Sequence, residues 1–332
     1  MPTEVDNRGD LMEFDEFLNR DITIYQLIND EYKELLWGLR FVNAENCFRE
    51  VDESRLSRIR VAVIDSGVEA NHEDLKKHVA RGWNFLDNTD NTEDDLGHGT
   101  GVAGIIGAER NNGVGIAGIA SGAQLVPLKV IDSSGKAEIK NVIKAIEWCI
   151  NNDIDIINLS LGHSLKDINL FDMYDIYLIE EEKFIIEKAL EKSIVIIAAV
   201  GNELHEPMNF PARYKGVIPV ASYGIKLNPL SIYSSDKNSI VNDETVFAPG
   251  EFIYTTLKGN SYGYERGSSF AAPFVTGVAA LLKAYDENLT PHQIHQLILS
   301  TCKKIDLGHE TIKIIDADKA FNKLRGDYKN NG

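Results

Sequence analysis

The chain has 332 residues, 43% of them hydrophobic, and its 51 acidic residues outnumber the 34 basic ones for a net charge of −17. That length and composition fit one large globular domain or two ordinary ones and exclude general disorder. The negative charge argues against nucleic acid or an anionic membrane surface as a partner, because both require a basic patch. We therefore expect a soluble protein whose substrates are neutral or basic.

The N-terminal residues and the cysteines bear on where the protein works. The N-terminus is acidic and has no apolar stretch, so we predict no signal peptide. The longest apolar runs, such as residues 194–200, have strand length and cannot span a bilayer. Cys47, Cys149 and Cys302 are far apart and form no CxxC pair, which favours reduced, partly buried thiols over a zinc site or a disulfide. These features predict a cytoplasmic protein.

Residues 1–36 are rich in charge and in helix formers, which predicts one or two short amphipathic helices appended to the main domain. Apolar runs of strand length then alternate with helical segments as far as residue 324. This alternation predicts an α/β domain over residues 37–324, with a mainly parallel central sheet and helices on both faces. Residues 325–332 are predicted to be a polar C-terminal tail.

The predicted elements follow one another in a regular order. The predicted strands cover residues 59–65, 124–131, 155–162, 194–202, 216–223 and 244–250. The predicted helices cover residues 97–108, 140–153, 180–193, 269–286 and 289–304. The helix at 97–108 contains Gly101, Ala103, Gly104 and Gly107, and such small residues predict very close packing against another element. The last of these helices has Thr290 as N-cap and Pro291 at its first position.

Three segments of the predicted domain carry polar side chains that a plain scaffold does not need. Asp65 ends a buried strand, His98 lies between two glycines at a helix start, and Ser269 begins the long helix. Each alone has a structural explanation, as a turn residue, a helix-terminal histidine and an N-cap serine. Pro273 cannot donate to the carbonyl of Ser269, so the first helical turn is predicted to be irregular. Such local rule-breaking is typical of functional sites.

Together these residues have the types that nucleophilic catalysis requires. A serine hydroxyl such as that of Ser269 is a poor nucleophile until a base takes its proton, and His98 can be that base near neutral pH. The Asp65 carboxylate can hold the histidine tautomer and stabilise the imidazolium. Asn202, after another buried strand, is either a turn residue or a side-chain donor to the oxyanion of a tetrahedral intermediate.

Five segments resemble the sequence blocks that characterise the subtilisin family of serine proteases, the subtilases. They are VAVIDSG around Asp65, GHGTGVAG around His98, INLSLG at 157–162, AAVGN at 198–202 and GSSFAAP around Ser269. The resemblance extends over about residues 37–320, beginning with WGLRFVNAENCF. It implies a three-layer subtilisin-like α/β fold and serine endopeptidase activity, with the Asp, His and Ser as catalytic triad and the Asn as oxyanion donor.

The sequence departs from the family pattern in three places. Ser268 and Phe270 flank the serine where the family most often has Thr and Met. The segment after Gly162 is longer than in compact members, and we predict a surface insertion at 163–183 near the substrate cleft. Residues 1–36 lack a signal peptide and are short for a folding prodomain, which makes the chain more similar to intracellular members.

The resemblance also implies a structural calcium ion. Asp74 matches the carboxylate ligand, and the loop after the histidine helix matches the remaining ligands. That loop would supply the Asn112 side-chain oxygen and the main-chain carbonyls of Arg110, Val114 and Ile116. Six or more hard oxygens suit Ca²⁺. The alternative is a polar turn beside a solvated aspartate.

For substrate binding, the resemblance implies that a peptide adds as a strand beside residues 160–162. The residues predicted to line the binding strand and the primary pocket are Ser160, Leu161, Gly162, Ala199, Val200, Gly201 and Asn209. Glu203 and Glu206 lie beside the pocket in sequence, so we hypothesise a preference for a basic or polar residue before the scissile bond.

Two rival functions have different signatures. A catalytically silent peptide-binding module would usually have lost a triad member, and none is missing here. An esterase or lipase with this chemistry has the order Ser, Asp, His, whereas the order here is Asp, His, Ser. Among peptidases, general intracellular turnover and processing of one dedicated peptide precursor, such as a modified-peptide leader, both remain open. The oligomeric state has no sequence signal.

Overall fold

The computed structural model describes residues 26–164, 166, 172–203, 207–224, 242–306 and 311–331, with side chains as far as residue 326. After a 3-10 turn at Lys33–Leu35, the helices are α1 (Trp37–Val42), α2 (Glu45–Glu50), α3 (Glu53–Leu56), α4 (His98–Gly107), α5 (Ile139–Ile150), α6 (Met173–Glu191), α7 (Ser268–Tyr285), α8 (Pro291–Thr301) and α9 (Ala317–Asn331). The strands are β1 (Arg60–Asp65), β2 (Trp83–Asn84), β3 (Gln124–Lys129), β4 (Ile156–Leu159), β5 (Val195–Ala199), β6 (Ile218–Tyr223), β7 (Val246–Pro249), β8 (Ile253–Leu257), β9 (Ser261–Glu265), β10 (Lys303–Asp306) and β11 (Thr311–Ile314).

The central sheet has the strand order β10-β11-β7-β6-β5-β4-β1-β3-β2. From β11 to β2 neighbouring strands are parallel, and β10 pairs antiparallel with β11 at one edge. Strands β8 and β9 form a separate antiparallel hairpin. The sheet confirms the predicted α/β architecture, and its parallel strands bring the chain segments that follow β1, β4 and β5 to one edge.

Alternate residues of each central strand enter two different cores, because successive side chains of a strand point to opposite faces. In β1, Val61 and Val63 pack with the apolar residues of α4 and α7. Ala62 and Ile64 pack with those of α5 and α6 on the other face. The result is the predicted three-layer arrangement, in which both faces of the sheet are covered by helices.

The N-terminal and C-terminal segments differ in structure from the appended extension and the polar tail that the sequence predicted. Ile28 and Leu36 are buried in the core that contains α7, so residues 26–36 pack against the domain. Asn46 is tied to the C-terminal segment, because its backbone N–H donates to Asp318 Oδ1 at 2.8 Å. Helix α9 continues to Asn331, so the backbone of residues 325–331, which were predicted to form a polar tail, extends that helix.

Other differences concern elements whose sequences carry weak signals. The β8–β9 hairpin and strands β2, β10 and β11 were not predicted, since they are short or edge elements whose pairing depends on distant partners. Helix α6 begins at Met173, so the second half of the predicted insertion 163–183 is helical. Residues 165 and 167–171 of that insertion lie outside the described residues. The capping box formed by Thr290 and Gln293 confirms the predicted start of α8.

All three cysteines are buried free thiols, as predicted. Cys149 is fully buried among the apolar residues of the α5 core, and burial raises the pKa of its thiol far above the ordinary value. A protonated thiol is not a nucleophile, so Cys149 has a packing role. Within the described residues, none of the helices combines the length and the apolar character needed to cross a membrane.

Candidate active site

The C-terminal edge of the parallel sheet gathers the predicted catalytic residues. Asp65 is the last residue of β1, and Asn202 follows β5 after a short turn. His98 and Ser269 are carried by helices, and each lies in the first turn, of α4 and α7 respectively. Edges of this kind are where ligands of open parallel sheets bind.

Asp65 and His98 form a short polar contact at this edge. Nδ1 of His98 lies 2.7 Å from Oδ1 of Asp65, and the backbone N–H of Ser66 donates to the same oxygen at 2.7 Å. Asp65 is fully buried, whereas His98 is partly exposed. Burial lowers the pKa of the His98 imidazole, but the charge and hydrogen bond of Asp65 raise it by more, so the pKa lies above its ordinary value of 6.5. Nδ1 is thereby held as a donor, and Nε2 remains to act as a base.

Asp94, which the sequence analysis did not single out, positions the start of the histidine helix. Its Oδ2 accepts the N–H and the hydroxyl of Thr100 at 2.9 and 2.7 Å. Its Oδ1 accepts the hydroxyl of Ser66 at 2.8 Å, and Ser66 Oγ in turn accepts the N–H of Gly99 at 3.0 Å. An acidic residue four positions before a helix start is a recognisable signal for such a role.

The small residues of α4 allow the β8–β9 hairpin to lie directly on the helix. A Cβ atom on Gly104 would lie 2.2 Å from Oγ1 of Thr256. The hydroxyls of Thr255 and Thr256 each donate at 2.7 Å to helix carbonyls, those of Gly101 and Thr100 respectively. The predicted close packing is confirmed, and it fixes the helix that carries His98.

Ser269 is the second residue of α7, and the N-cap is Gly267 rather than a serine. The carbonyl of Ser269 lacks a helical donor because Pro273 lies four residues on. The Ser160 hydroxyl, just after the end of β4, donates to that carbonyl at 2.6 Å and replaces the missing helical donor. The ring of Phe270 lies edge-on to the His98 imidazole with centroids 5.1 Å apart. The first turn of α7 thus contacts both the histidine and the predicted peptide-binding strand.

A buried relay of polar side chains holds Ser160. The hydroxyl of Thr276 in α7 donates to Oδ1 of Asn158 at 2.7 Å, and Nδ2 of Asn158 donates to Oγ of Ser160 at 2.9 Å. Neither Thr276 nor Asn158 was predicted to be part of the site. Their roles depend on a contact between β4 and α7 that no local pattern indicates.

Asn202 is oriented by the residue that precedes the serine. The backbone N–H of Ser268 donates to Oδ1 of Asn202 at 2.8 Å, and Oγ of Ser268 lies 3.0 Å from both that atom and the carbonyl oxygen of Gly201. With Oδ1 held in this way, the Nδ2 amide of the exposed Asn202 is the group left to donate to a ligand. Ser268 keeps the hydroxyl of the threonine that the family more often has.

The predicted pocket walls meet at Asn209. Its N–H donates to the carbonyl of Val200 at 2.9 Å, and a Cβ atom on Gly162 or Gly201 would lie within 3.1 Å of its side chain. Nδ2 of Asn209 donates to Glu203 Oε2 at 3.2 Å, while its buried Oδ1 has no hydrogen-bond partner in the part of the chain that the structure describes. The pocket therefore combines a carboxylate with an available acceptor.

The remaining predicted pocket residues line the same edge. Leu161 is partly buried against the α5–α6 core, and Ala199 ends β5 in the opposite core. Beyond Gly162, the backbones of His163 and Phe210 exchange two hydrogen bonds of 3.0 Å, which joins the two pocket walls. Glu206, the second acidic neighbour of the pocket in sequence, lies outside the described residues.

Three of the residues predicted to bind calcium, Asp74, Asn112 and Ile116, are in direct contact. Both carboxylate oxygens of Asp74 accept protein N–H groups, Oδ1 from Nδ2 of Asn112 and Oδ2 from the backbone of Ile116, each at 2.7 Å. Oδ1 of Asn112 accepts the N–H of Val114 at 2.9 Å. Burial raises the pKa of the Asp74 carboxyl, while its hydrogen bonds oppose that rise. The structure therefore brings the predicted carboxylate and amide together at this loop, where the main-chain carbonyls of Arg110, Val114 and Ile116 would complete the predicted set of ligands.

Arg110, another predicted calcium ligand, is held in the loop by groups other than the carbonyl that was predicted to bind the ion. Its N–H donates to the hydroxyl of Ser121 at 2.7 Å, and its guanidinium lies 3.9 Å from the ring centroid of Phe48. Across the described ranges, no group of three or more His, Cys, Asp or Glu side chains is arranged to hold a metal ion. The predicted site has one carboxylate and otherwise amide and main-chain oxygens, so calcium at this loop stays a prediction.

Comparison with known proteins identifies the chain's relatives. The Subtilase family matches residues 57–324. Over 283 residues the chain is 34% identical to the "Thermostable alkaline protease" of Halalkalibacterium halodurans, which covers 85% of this chain and 70% of that protein. It is 32% identical over 284 residues to the "Major intracellular serine protease" of Bacillus subtilis, covering 81% and 83%. The chain spans 60% of the length of another relative, "Subtilisin NAT" of Bacillus subtilis subsp. natto.

Solved structures agree with the fold. A structure described as "Proteases from Pseudoalteromonas arctica" superposes with a TM-score of 0.76 at 25% identity, covering 90% of this chain and 99% of that one. The shared three-layer architecture extends over nearly the whole of the described domain.

Proposed function

The chain belongs to the subtilase family of serine endopeptidases, and we propose that Asp65, His98 and Ser269 carry out its peptide-bond hydrolysis. The observation that carries this assignment is the 2.7 Å contact between His98 Nδ1 and Asp65 Oδ1. That contact leaves Nε2 as the base, and the imidazole lies beside the first turn of α7, whose Phe270 ring packs against it.

In the proposed mechanism, His98 Nε2 takes the Ser269 proton as Oγ attacks the scissile carbonyl. Asp65 stabilises the imidazolium that forms, and His98 then protonates the leaving amine. The acyl-enzyme is hydrolysed by water in the reverse order of proton transfers. The raised pKa of His98 suits both steps, because the group must accept and then release a proton near neutral pH.

We propose that Asn202 Nδ2 and the backbone N–H of Ser269 hold the oxyanion of the tetrahedral intermediate. The support is the orientation of Asn202, whose Oδ1 accepts from Ser268 and so cannot face the ligand. A preorganised donor costs no reorganisation when charge develops, which is why such groups act mainly on the transition state.

The substrate is proposed to be a peptide or protein segment that adds as a strand beside Ser160–Gly162. Its side chain before the scissile bond would enter the pocket near Asn209 and Glu203. The buried, available Oδ1 of Asn209 and the Glu203 carboxylate are both acceptors, so they favour a basic or polar side chain that donates.

The nucleophile is tested with Ser269→Ala and a fluorophosphonate probe. The full-length wild type is expected to label and to cleave a fluorogenic peptide, and the variant is expected to do neither while keeping its thermal midpoint. Ser54→Ala, an exposed serine of α3, serves as a control that should still label. A wild type that binds peptides without labelling would favour the silent binding module instead.

The pocket preference is tested with a peptide library that varies the residue before the scissile bond. We expect Lys, Arg, Gln or Asn there, and we expect Glu203→Gln to weaken selection for the basic residues by about tenfold, the effect of one charge-assisted contact. Glu287→Gln is the matched control, because this exposed residue lies beyond the C-terminal end of α7, a whole helix away from Ser269. A profile dominated by Asp and Glu would contradict this preference.

We propose that the enzyme works inside the cell, in protein turnover or in processing one dedicated peptide precursor such as a modified-peptide leader. The relative named as an intracellular serine protease supports the location. The longer segment between Gly162 and Asn202, beside the pocket, supports a dedicated substrate. The proposed peptidase unit is residues 37–324. A structural calcium ion at the Asp74 loop is proposed from the family resemblance, and its support is that the Asp74 carboxylate and the Asn112 amide meet at 2.7 Å there.

A further inference from the structure

Lys129, the last residue of β3, is a buried cation beside the candidate active site. It is 3% exposed, and it is the in-register neighbour of Asp65 on the adjacent strand β1. Its Nζ donates to the carbonyl oxygens of Ser66 and Glu93 at 2.6 and 3.0 Å, and it lies 2.9 Å from Oδ2 of Asp95. An ammonium group has three N–H donors, so these three acceptors account for all of them.

The first of these acceptors belongs to the turn that orients Asp65. The N–H of Ser66 donates to Oδ1 of Asp65, the same oxygen that contacts the His98 imidazole. Oγ of Ser66 accepts the N–H of Gly99 in the first turn of α4. By holding the Ser66 carbonyl, Lys129 therefore fixes a residue that contacts both the Asp65 carboxylate and the helix that carries His98.

The other two acceptors belong to the loop that leads into α4. Glu93 and Asp95 lie on either side of Asp94, whose carboxylate accepts the N–H and the hydroxyl of Thr100 in that helix. The hydrogen bond and the charge of Lys129 lower the pKa of the Asp95 carboxyl, so this acceptor is a carboxylate at neutral pH. Lys129 thus holds both neighbours of the residue that orients the start of the histidine helix.

The two segments that Lys129 joins have no free space between them. A Cβ atom on Gly99 would lie 2.1 Å from the carbonyl oxygen of Gly67 and 3.1 Å from Oδ1 of Asp65. Close packing of this kind transmits a displacement of one segment to the other. The 2.7 Å contact between His98 and Asp65 therefore depends on how the turn after β1 and the loop before α4 are placed relative to each other.

A buried lysine is a costly way to stabilise a fold. The ammonium loses its water on burial, and replacing a buried ion pair with apolar side chains of similar size is often neutral or stabilising. We propose that Lys129 is a positioning residue, which draws the turn after Asp65 and the loop before His98 together and so sets the geometry of the Asp65–His98 pair. This inference rests on the proposed function, because the pair matters for catalysis only in a chain that hydrolyses peptides through Ser269.

The test compares Lys129→Met with Lys283→Met in the full-length enzyme. Lys283 is also buried, and its Nζ donates to the carbonyls of Glu287 and Leu289. It lies toward the C-terminal end of α7, whereas Ser269 lies in the first turn of that helix. Both substitutions remove a buried charge, so both are expected to change stability. kcat and KM are measured on a fluorogenic peptide, and kcat is expressed per site that a fluorophosphonate labels, which leaves misfolded molecules out.

We expect Lys129→Met to lower kcat by roughly 10- to 100-fold and to keep KM within about twofold, because a misplaced catalytic pair slows the chemical step without removing a substrate contact. Lys283→Met should keep the wild-type kcat per labelled site. An unchanged kcat for Lys129→Met, or equal losses of kcat in the two variants, would overturn the positioning role alone. A wild type that neither labels nor cleaves would contradict the proposed function and this inference with it.

Asp95→Asn provides the test if Lys129→Met does not fold. The Asp95 side chain is exposed, so its amide variant should fold while the Lys129 ammonium loses its charged acceptor. We expect kcat per labelled site to fall by about threefold with KM unchanged, a small effect because one partner of the pair is exposed to solvent. Asp90→Asn, an exposed carboxylate earlier in the same loop that pairs with Arg81, is the control and should match wild type. A kcat for Asp95→Asn equal to that of the control would overturn the proposal.

Discussion

Asp65 and Glu182 are both buried carboxyl groups that face a histidine, yet they hold their histidines differently. Asp65 contacts His98 at 2.7 Å in the candidate active site, while Glu182 of α6 lies 3.4 Å from Nε2 of His163, next to the pocket wall. Each carboxyl has one buried oxygen without a hydrogen-bond partner among the described residues. The difference therefore lies in what reaches the other oxygen.

The other oxygen of Asp65 accepts a backbone N–H from Ser66 at 2.7 Å besides the imidazole. That of Glu182 accepts the hydroxyl of Tyr214 at 2.9 Å. Burial raises the pKa of Glu182 to about 7, and the tyrosine hydrogen bond offsets only part of that rise. A buried carboxyl group whose water is not fully replaced by hydrogen-bond donors binds a proton more readily, as the raised pKa of Glu182 shows.

The comparison predicts a large difference in catalytic effect. Asp65→Asn is expected to lower kcat by about 10⁴-fold, because the amide no longer stabilises the correct tautomer and the imidazolium of His98. Glu182→Gln, the matched amide substitution, should leave kcat within about twofold because it keeps an acceptor for Tyr214. Steady-state kinetics on a fluorogenic peptide compare kcat of the two variants. Equal losses of kcat would mean that the donors around the two carboxyl groups do not explain the difference between the pairs.

The second prediction concerns stability, for which the larger effect is expected at the Glu182–His163 pair. The pKa of Glu182 is raised in the folded state, so wild type loses stability as pH rises from about 4.5 to about 7, when the unfolded chain releases its proton first. Glu182→Gln lacks that penalty and is expected to gain up to about 3 kcal/mol over wild type at pH 8 relative to pH 4.5. Denaturant unfolding at both pH values measures it. The exposed Glu187→Gln on the same helix should show no such dependence.

The third and smallest effect is in the pH profile. Only neutral His98 accepts the serine proton, so kcat/KM should fall as pH drops through the pKa of His98, with a midpoint above the ordinary 6.5. For the residual activity of Asp65→Asn, the fall in kcat/KM at acidic pH should move to lower pH, because the charge that raises the pKa of His98 is gone. Glu182→Gln should leave that fall in place. A wild-type midpoint below 6.5 would show that burial outweighs the Asp65 carboxylate.

Much of this fold is visible in local sequence patterns. Apolar runs of strand length alternating with amphipathic helices predicted the parallel sheet, because strand and helix periodicities are properties of neighbouring residues. The candidate residues Asp65, His98, Asn202 and Ser269 stand out for the same reason, since each interrupts an apolar or small-residue pattern at the end of an element. Pro273 likewise predicted that the Ser269 carbonyl lacks a helical donor.

Local sequence patterns could not predict hydrogen bonds between residues that lie far apart in the chain. That Ser160 satisfies the Ser269 carbonyl, held in turn by Asn158 and Thr276, depends on how β4 and α7 pack.

The sequence by itself determined the fold class, the family and the candidate residues, because those follow from periodicity and from residue types at element ends. Only the tertiary structure decided which distant partners hold these residues in place. Asp30 lies more than 80 positions before the N–H groups that it binds at Asn112 and Gly113, and no local pattern indicates that pairing. Hydrogen bonds are directional, so such bonds form only where the packing of the whole chain brings donor and acceptor into line.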